Sequence, residues 1–293
     1  MVVGARIVSG AKPGGRSRPL VPHLENLRSV KLIGLGGVGG IVARYLVVYL
    51  GAAGQPVRVV LIDGDDFEAR NAERMLFSRC GNKAAVVRDD LVELVEDSRL
   101  TLSAIEEYVT PENLDRLLVD GDVVLLAVDN HATRKLVGDY CSEHLASVCL
   151  ISGGNDGVGE DTSGRKQRGT YGNVQIHSRR GDRDQTPPIA AYHPEIANPR
   201  DALPTDLSCA EALASVPQIL FTNLTTASAM LNAFFLHICA ALSYPEVCFD
   251  VAEGLMRPVP LPGVRLLEEA SGGPNVAGQI RRRPQSSAAG ELG

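Results

Sequence analysis

Residues 30–40 read VKLIGLGGVGG, an apolar, strand-like run that leads into closely spaced glycines. Gly34, Gly36 and Gly39 form the pattern G-x-G-x-x-G, and the helix-compatible run IVARYLVVYL follows at residues 41–50. In such a strand–turn–helix unit the glycines allow a tight bend, a close approach of the backbone to phosphate, and close packing of the helix on the sheet. The free amides and the helix dipole then favour an anion. This stretch therefore predicts a nucleotide phosphate at the start of the helix.

The surrounding block alternates apolar runs with amphipathic stretches, which is typical of βαβ units and a parallel sheet. The run VVLLAV at residues 123–128 is apolar throughout, as expected of a strand covered on both faces. We predict an α/β fold: a Rossmann-like, doubly wound and mainly parallel sheet with an added antiparallel portion after residue 150. The predicted strands are 30–34, 57–62, 100–105, 122–127, 147–151, 171–178 and a last one near 246–252, and the predicted helices are 38–53, 83–96, 111–118 and 131–146.

Composition divides the chain into four parts. Residues 1–29 are rich in Gly, Pro and Arg and are predicted to form an N-terminal arm, and residues 30–152 form the nucleotide-binding half. Residues 153–271 are expected to hold an insert, a Pro-rich crossover loop and the C-terminal part of the same domain. Residues 272–293 return to Gly, Pro, Ser and Arg and are predicted to be a disordered tail.

The bulk composition excludes several classes of protein. The chain of 293 residues has a formal net charge of -6 and few aromatic residues, so nucleic acid is not an expected partner. Its six cysteines form no C-x-x-C pair and no secretory leader precedes them, so we expect reduced thiols and a cytoplasmic location. The apolar stretch 219–242 contains Asn223, Asn232 and His237, so we expect a buried or dimer-interface helix and no membrane span.

A second polar stretch, LIDGDDFEARNAER at residues 61–74, follows the next apolar strand. Asp63 ends that strand, and a carboxylate at this place can accept hydrogen bonds from ribose hydroxyls. On these two features alone, NAD and ATP fit equally well.

Three charged residues favour ATP. Arg74 and Lys83 come soon after the ribose carboxylate, where they could stabilise the charge that accumulates as pyrophosphate leaves. Asp129 follows a buried strand, at the edge where open α/β sheets bind ligands, and its carboxylate could hold Mg²⁺. Each has an ordinary alternative: Arg74 and Lys83 as solvated surface charges, and Asp129 as the cap of a helix that begins near His131.

In combination, these motifs resemble the ThiF/MoeB/HesA family, which includes the adenylation domains of ubiquitin-activating enzymes. The resemblance covers roughly residues 30–150 and consists of G-x-G-G-x-G, D-x-D, N-x-x-R, a Lys in a G-x-K-A setting, and D-N before a helix. The matching positions are Gly34, Gly36, Gly37, Gly39, Asp63, Asp65, Asn71, Arg74, Lys83, Asp129 and Asn130.

The resemblance implies ATP- and Mg²⁺-dependent acyl adenylation. The C-terminal glycine carboxylate of a small ubiquitin-like or sulfur-carrier protein would attack the α-phosphate of ATP, and pyrophosphate would leave. In this sequence Asp63 would bind ribose, Asn71, Arg74 and Lys83 would contact phosphates, and Asp129 would support Mg²⁺. A homodimer is also implied.

The chain departs from the family pattern at three places. Met75 stands where the family usually has Gln, and the paired C-x-x-C zinc motifs are absent. The family's N-terminal arginine, which often reaches into the partner subunit's site, has no matching motif here, so Arg6, Arg16 and Arg18 are candidates by location alone.

Many relatives pass the acyl group to a cysteine in the crossover loop, and Cys209 lies in the matching region. A place near a helix N-terminus would favour its thiolate, although free cysteines are often small buried hydrophobes. Cys80 lies near the ATP loop and is a weaker candidate. The remaining four are read as core residues: Cys141, Cys149, Cys239 and Cys248.

Two alternatives stay open. An NAD(P)-dependent oxidoreductase would use the same glycine turn, although Arg74, Lys83 and Asp129 speak against it. A catalytically inactive member of the same family would bind nucleotide as a scaffold or sensor. Met75 and the missing arginine motif are consistent with this alternative.

Overall fold

A computed structural model describes residues 19–73, 75–96, 98–160, 166–206 and 218–260. The described helices are α1 (Gly39–Ala52), α2 (Lys83–Val92), α3 (Leu114–Leu117), α4 (His131–Glu143), α5 (Pro194–Ala197) and α6 (Leu220–Ile238). The described strands are β1 (Ser29–Ile33), β2 (Arg58–Ile62), β3 (Asp66–Phe67), β4 (Gly81–Asn82), β5 (Thr101–Ile105), β6 (Val123–Leu126), β7 (Val148–Asn155), β8 (Val158–Glu160), β9 (Lys166–Arg168), β10 (Tyr171–Arg180), β11 (Arg183–Asp184), β12 (Glu246–Asp250) and β13 (Leu255–Val259).

The main sheet has the order β13-β12-β10-β7-β6-β1-β2-β5, with β11 paired to β10. The strands from β5 to β7 are parallel, whereas β10, β12 and β13 pair in antiparallel fashion. The chain moves outward from β1 to β2 and β5, then returns to β6 on the other side of β1. This confirms the predicted α/β fold with its antiparallel addition, and it puts a topological switch point between β1 and β6.

Both faces of the parallel strands are covered, so two cores form. In β1, Leu32 packs into the core that contains α1 and α6, whereas its neighbour Ile33 packs into the core that contains α4. The strand β6 divides in the same way, with Leu125 on the first side and Leu126 on the second. Because consecutive residues of a strand point to opposite faces, a run apolar throughout is what a doubly covered strand requires.

The strand predicted at 147–151 is longer than expected and continues as β7 to Asn155. A Cβ at Gly153 would lie 2.3 Å from the Met230 sulfur, and one at Gly154 would lie 2.3 Å from Nη2 of Arg134. The extension therefore needs glycine at both positions, because larger neighbours occupy the space that their side chains would fill.

Other boundaries also differ. The predicted helix 111–118 shrinks to the single turn α3, and the last predicted strand ends at Asp250 before a further strand, β13, that the pattern did not predict. The long apolar helix is α6, and no helix within the described ranges is long and apolar enough to cross a membrane. Residues 272–293 and most of the arm 1–29 lie outside the described residues.

Candidate nucleotide-binding site

The glycine turn joins β1 to α1 at the switch point. Gly34 has φ of +88°, and a Cβ there would lie 2.9 Å from the Ala127 carbonyl carbon, just beyond β6. A Cβ at Gly39 would lie 1.7 Å from the Gly34 oxygen. At Gly36, by contrast, the nearest atom is the terminal carbon of Met75 at 3.9 Å. The turn thus packs tightly on the sheet and stays open at Gly36, which is the arrangement that a bound phosphate needs.

Asp63, at the end of β2, bridges back to this turn. Its carboxylate accepts hydrogen bonds from the backbone amides of Leu35 at 2.5 Å and of Asp65 at 2.8 Å. Burial raises the pKa of Asp63, although the Lys83 charge and the two amide donors favour its ionised form. The residue predicted to bind ribose therefore also fixes the shape of the turn.

Asp65, Lys83 and Tyr108 form a cluster beside Asp63. The Lys83 ammonium donates to Asp65 at 2.9 Å with only 12% of its side chain exposed, and the Tyr108 hydroxyl donates to the same carboxylate. Burial raises the pKa of Asp65, but the charge and hydrogen bond of Lys83 outweigh it and leave that pKa lowered. A cation is thus held beside Asp63 by the carboxylate of Asp65. The sequence analysis missed Tyr108.

Asn82 was also missed, and it sets the direction of α2. Its side-chain oxygen accepts hydrogen bonds from the amides of Ala84 and Ala85, which caps the helix. Its amide nitrogen donates to the carbonyl oxygens of Asp63 and Asp65. The D-x-D loop and the start of α2 are therefore one hydrogen-bonded unit.

The N-x-x-R motif is only partly visible. The Asn71 side-chain oxygen accepts a hydrogen bond from the Glu68 backbone amide at 2.8 Å and so holds a local turn. The amide nitrogen of the same side chain is then the group that could contact a ligand. Arg74 lies outside the described residues, as do Arg6, Arg16 and Arg18.

The carboxyl end of β6 carries Asp129 and Asn130. The Asn130 oxygen accepts a hydrogen bond from the Thr133 amide at 2.7 Å and caps α4, so the capping role considered for Asp129 belongs to its neighbour. The carboxylate of Asp201 accepts hydrogen bonds from the amides of His131 and Ala132. The Asp129 side chain is exposed and accepts no hydrogen bond from the described residues, which leaves its oxygens available for a ligand.

Arg134 is a buried cation that the sequence analysis missed. Its guanidinium donates to the carbonyl oxygens of Val128 and Gly153 at 2.8 Å and to the Ser152 hydroxyl at 3.2 Å. Burial lowers its pKa to about 10, against the nearby charges of Asp129 and Asp201. A positive charge under the ends of β6 and β7 favours an anionic ligand there.

The residues also bear on the predicted Mg²⁺. No group of three or more His, Cys, Asp or Glu side chains in the described ranges could hold a metal ion by itself. Mg²⁺ at nucleotide sites, however, commonly takes one or two carboxylates together with substrate phosphates and water. The exposed carboxylate of Asp129 at the switch point fits that smaller requirement.

The cysteines divide into three groups. Cys209 lies outside the described residues, and Cys80 is exposed. Cys141 and Cys149 are buried, as predicted. Cys239 and Cys248 were read as core residues but are only half-buried, because α6 ends at Ile238 and β12 is next to the edge of the sheet.

Comparison with known proteins agrees with this architecture. A model of the ThiF family matches residues 18–226. The chain is 33% identical over 113 residues to the adenylyltransferase and sulfurtransferase uba4 of Emericella nidulans, which covers 38% of this chain and 22% of that protein. It is 31% identical over 146 residues to the tRNA threonylcarbamoyladenosine dehydratase of Haemophilus influenzae, which covers 48% of this chain and 54% of that protein.

Among solved structures, E. coli MccB crystallised with ATP superposes with a TM-score of 0.57 at 16% identity, over 80% of this chain and 65% of that one. The same enzyme in complex with N-formylated MccA gives a TM-score of 0.58 at 15% identity, over 80% and 65% of the two chains. At these identities the likeness shows the fold alone. The chain spans about a fifth to a half of the length of the two curated relatives.

Proposed function

This chain belongs to the ThiF family, and we propose that it is an ATP- and Mg²⁺-dependent adenylyltransferase. Its substrate would be the C-terminal glycine carboxylate of a small ubiquitin-like or sulfur-carrier protein. The observation that carries the proposal is a set of groups at the carboxyl ends of neighbouring parallel strands: an open glycine turn, the Lys83–Asp65 pair, the exposed Asp129 carboxylate and the buried Arg134. A dinucleotide site needs no such set of charges around its pyrophosphate.

The reaction needs positioning and charge stabilisation, and no side-chain nucleophile. An oxygen of the substrate carboxylate forms a bond to the α-phosphorus of ATP as the bond from that phosphorus to the bridging oxygen breaks. The electron pair leaves with pyrophosphate, and acyl-AMP remains. Amides at Gly36 would hold phosphate, Lys83 would meet the departing charge, and Arg134 would favour the incoming carboxylate. Mg²⁺, held by Asp129, would neutralise phosphate charge.

The names of the relatives support the proposal at the level of chemistry. The Emericella protein is named as an adenylyltransferase and sulfurtransferase, and MccB has been crystallised with ATP and with MccA. We extend this to the present chain as use of ATP on a small partner with a free carboxylate.

If the acyl group moves on to a thiol, Cys209 is our candidate acceptor, and loss of a thiol-sensitive adduct in Cys209→Ala would support it. Persistence of that adduct would rule it out as the sole acceptor.

We also propose a homodimer. The helices α1 and α6 pack against each other, with Tyr49 and Phe235 in an edge-to-face contact. Large apolar side chains on the same two helices stay exposed, among them Tyr45 and Phe221, which is 71% exposed. Exposed apolar residues in such numbers are typical of an interface. Analytical ultracentrifugation of the wild type and of Phe221→Asp tests this, and a monomeric wild type would refute it.

One comparison favours a second candidate. The Haemophilus relative is named for a tRNA nucleoside, and the alignment spans more of that protein than of the other curated relative. The threonylcarbamoyl group carries a carboxylate, so the same activation chemistry could serve it. The net charge of -6 weighs against a tRNA substrate.

The deciding experiment incubates the purified protein with ATP, Mg²⁺ and each candidate: small proteins ending in Gly-Gly, bulk tRNA, or neither. Intact-mass spectrometry of the partner should detect an acyl-AMP adduct, with stoichiometric pyrophosphate. Nucleotide turnover with tRNA alone would select the second candidate. In a parallel assay with NADH and a carbonyl compound, hydride transfer would instead select the oxidoreductase. Tight nucleotide binding without any product in either assay would select the inactive scaffold.

A further inference from the structure

Two amide side chains beside the glycine turn are only half satisfied. Asn223, in the first turn of α6, is fully buried, and Asn155 is the last residue of β7. Asn155 Nδ2 donates to Asn223 Oδ1 at 3.0 Å. Asn223 Nδ2 and Asn155 Oδ1 are also buried, yet neither has a hydrogen-bond partner in the part of the chain that the structure describes.

The imbalance does not depend on how the amides are oriented. Exchanging oxygen and nitrogen in both side chains restores the hydrogen bond between them and again leaves one donor and one acceptor. A buried polar group without a partner is costly, and such groups are rare in native proteins. One unpaired donor and one unpaired acceptor therefore remain on this pair, and they match a ligand with one acceptor and one donor of its own.

The pair lies beside the glycine turn, near the carboxyl ends of the parallel strands. Asn223 Nδ2 lies 2.3 Å from the place that a Cβ of Gly37 would take, so it contacts the backbone of the turn. Asn155 ends β7, which runs parallel to β6, the strand that leads to Asp129. The two amides therefore lie between the phosphate turn and the neighbouring strand ends.

We propose that Asn155 and Asn223 bind the main chain of the penultimate residue in an extended C-terminal tail of the protein substrate. In an extended chain the N–H and C=O of one residue point to the same side, which is how paired residues in a sheet exchange two hydrogen bonds. The amide donor would bind the tail carbonyl, and the amide acceptor would bind the tail N–H. This inference rests on the proposed function and makes both asparagines positioning residues for the terminal carboxylate.

Main-chain recognition has a clear chemical signature, because it tolerates any side chain but fails when the tail nitrogen is methylated. The probes are acetyl-Gly-Gly and acetyl-sarcosyl-glycine, which differ only by a methyl group on the penultimate nitrogen. The full chain, labelled with ¹⁵N-asparagine and loaded with a non-hydrolysable ATP analogue, is titrated with each peptide by NMR. We expect acetyl-Gly-Gly to bind about fivefold to tenfold more tightly and to shift the side-chain amide signals of Asn155 and Asn223.

Two variants sharpen the test. In Asn155→Ala the preference for acetyl-Gly-Gly should fall to about onefold, whereas in Asn26→Ala it should persist. Asn26 is exposed and precedes β1, so it lies at the amino end of that strand, away from the candidate site. It therefore serves as the matched control. Equal binding of both peptides by the wild type overturns the inference even if Asn155→Ala fails to fold.

Failure here is distinguishable from failure of the proposed function, because the titration needs no turnover. Unshifted Asn155 and Asn223 signals, as an ordered water bridging the pair would give, overturn the inference. If carrier-dependent acyl-AMP still forms, the proposed function survives that result.

Discussion

The two halves of the main sheet differ in how their strands are covered and in where their charges lie. From β5 to β7 the strands are parallel and mostly buried, and the polar residues of the candidate site follow their carboxyl ends. From β10 to β13 the strands are antiparallel, and every residue of β13 is exposed. Burial on both faces of the parallel half leaves the strand ends as the place for chemistry. In the antiparallel half, the exposed strand is β13, and charged side chains pair locally.

The difference also shows in the ion pairs. In the parallel half, Lys83 and Arg134 face a site where carboxylates and open backbone meet. In the antiparallel half, His193 of the Pro-rich loop pairs with Glu195 at 2.9 Å and with Glu246 of β12 at 3.1 Å. The first set lies beside the candidate site at the ends of the parallel strands, whereas the second fastens a loop to the sheet.

The largest expected effect is on the glycine turn of the parallel half. Gly39→Ala would drive a Cβ to 1.7 Å from the Gly34 oxygen, so it should lower the free energy of unfolding by about 3 kcal/mol or more. Gly40→Ala is the matched control, because its nearest neighbour lies 3.7 Å away and alanine favours the helix. Urea unfolding of both variants checks this, and comparable stabilities would show that the turn is not tightly packed.

The next effect concerns Asp129. Asp129→Ala should lower adenylation by about 10²- to 10³-fold, because phosphate charge would lose its metal support, while the melting temperature stays close to wild type. Asp139 lies in α4, and its carboxylate pairs with Lys135. The control variant Asp139→Ala should therefore leave adenylation unchanged. Unimpaired Mg²⁺-dependent turnover in Asp129→Ala would contradict the assigned role.

The next prediction concerns Lys83, which we propose contacts the departing phosphates and not the rest of the nucleotide. Lys83→Ala should reduce kcat/KM for ATP by about tenfold to a hundredfold, because one charged hydrogen bond to the departing group is lost. The affinity for AMP, measured by calorimetry, should change by no more than about threefold. Equal losses for both nucleotides would place Lys83 away from the departing phosphates.

The smallest effect tests the antiparallel half. The Glu246 carboxylate, 3.1 Å from the ring, raises the pKa of His193 despite burial, and Glu195 adds to it. A raised pKa gives stability that is present below the ordinary value of about 6.5 and is lost as pH rises through the folded value. The free energy of unfolding should fall by about 1 kcal/mol between pH 6 and pH 9. This fall should vanish in His193→Gln and persist in His144→Gln.

The sequence predicted the parallel half well because its signals are local. The glycine turn, the apolar run at 123–128 and the acid at the end of β2 each depend on a few neighbouring residues, and the fold confirms the architecture that they indicate. The strand β13, with a proline inside LMRPV and no alternation, gives no such signal. It forms because β12 offers an edge to pair with.

The site residues that were missed are those joined over long distances in the chain. Tyr108 meets Asp65, and Asp201 caps α4, across 43 and 69 to 70 residues respectively. Arg134 was missed because a buried arginine looks like any charged residue on an amphipathic helix until the carbonyl groups of Val128 and Gly153 are seen around it. Such placements follow from tertiary structure, which periodicity does not specify.

We propose that the switch point of the parallel half activates a carboxylate with ATP. ATP–pyrophosphate exchange with the wild type, Mg²⁺ and a small protein ending in Gly-Gly tests it most directly. We expect exchange that requires the partner and disappears when the partner's terminal glycine is removed. Tight ATP binding with no exchange for any carboxylate partner would contradict it.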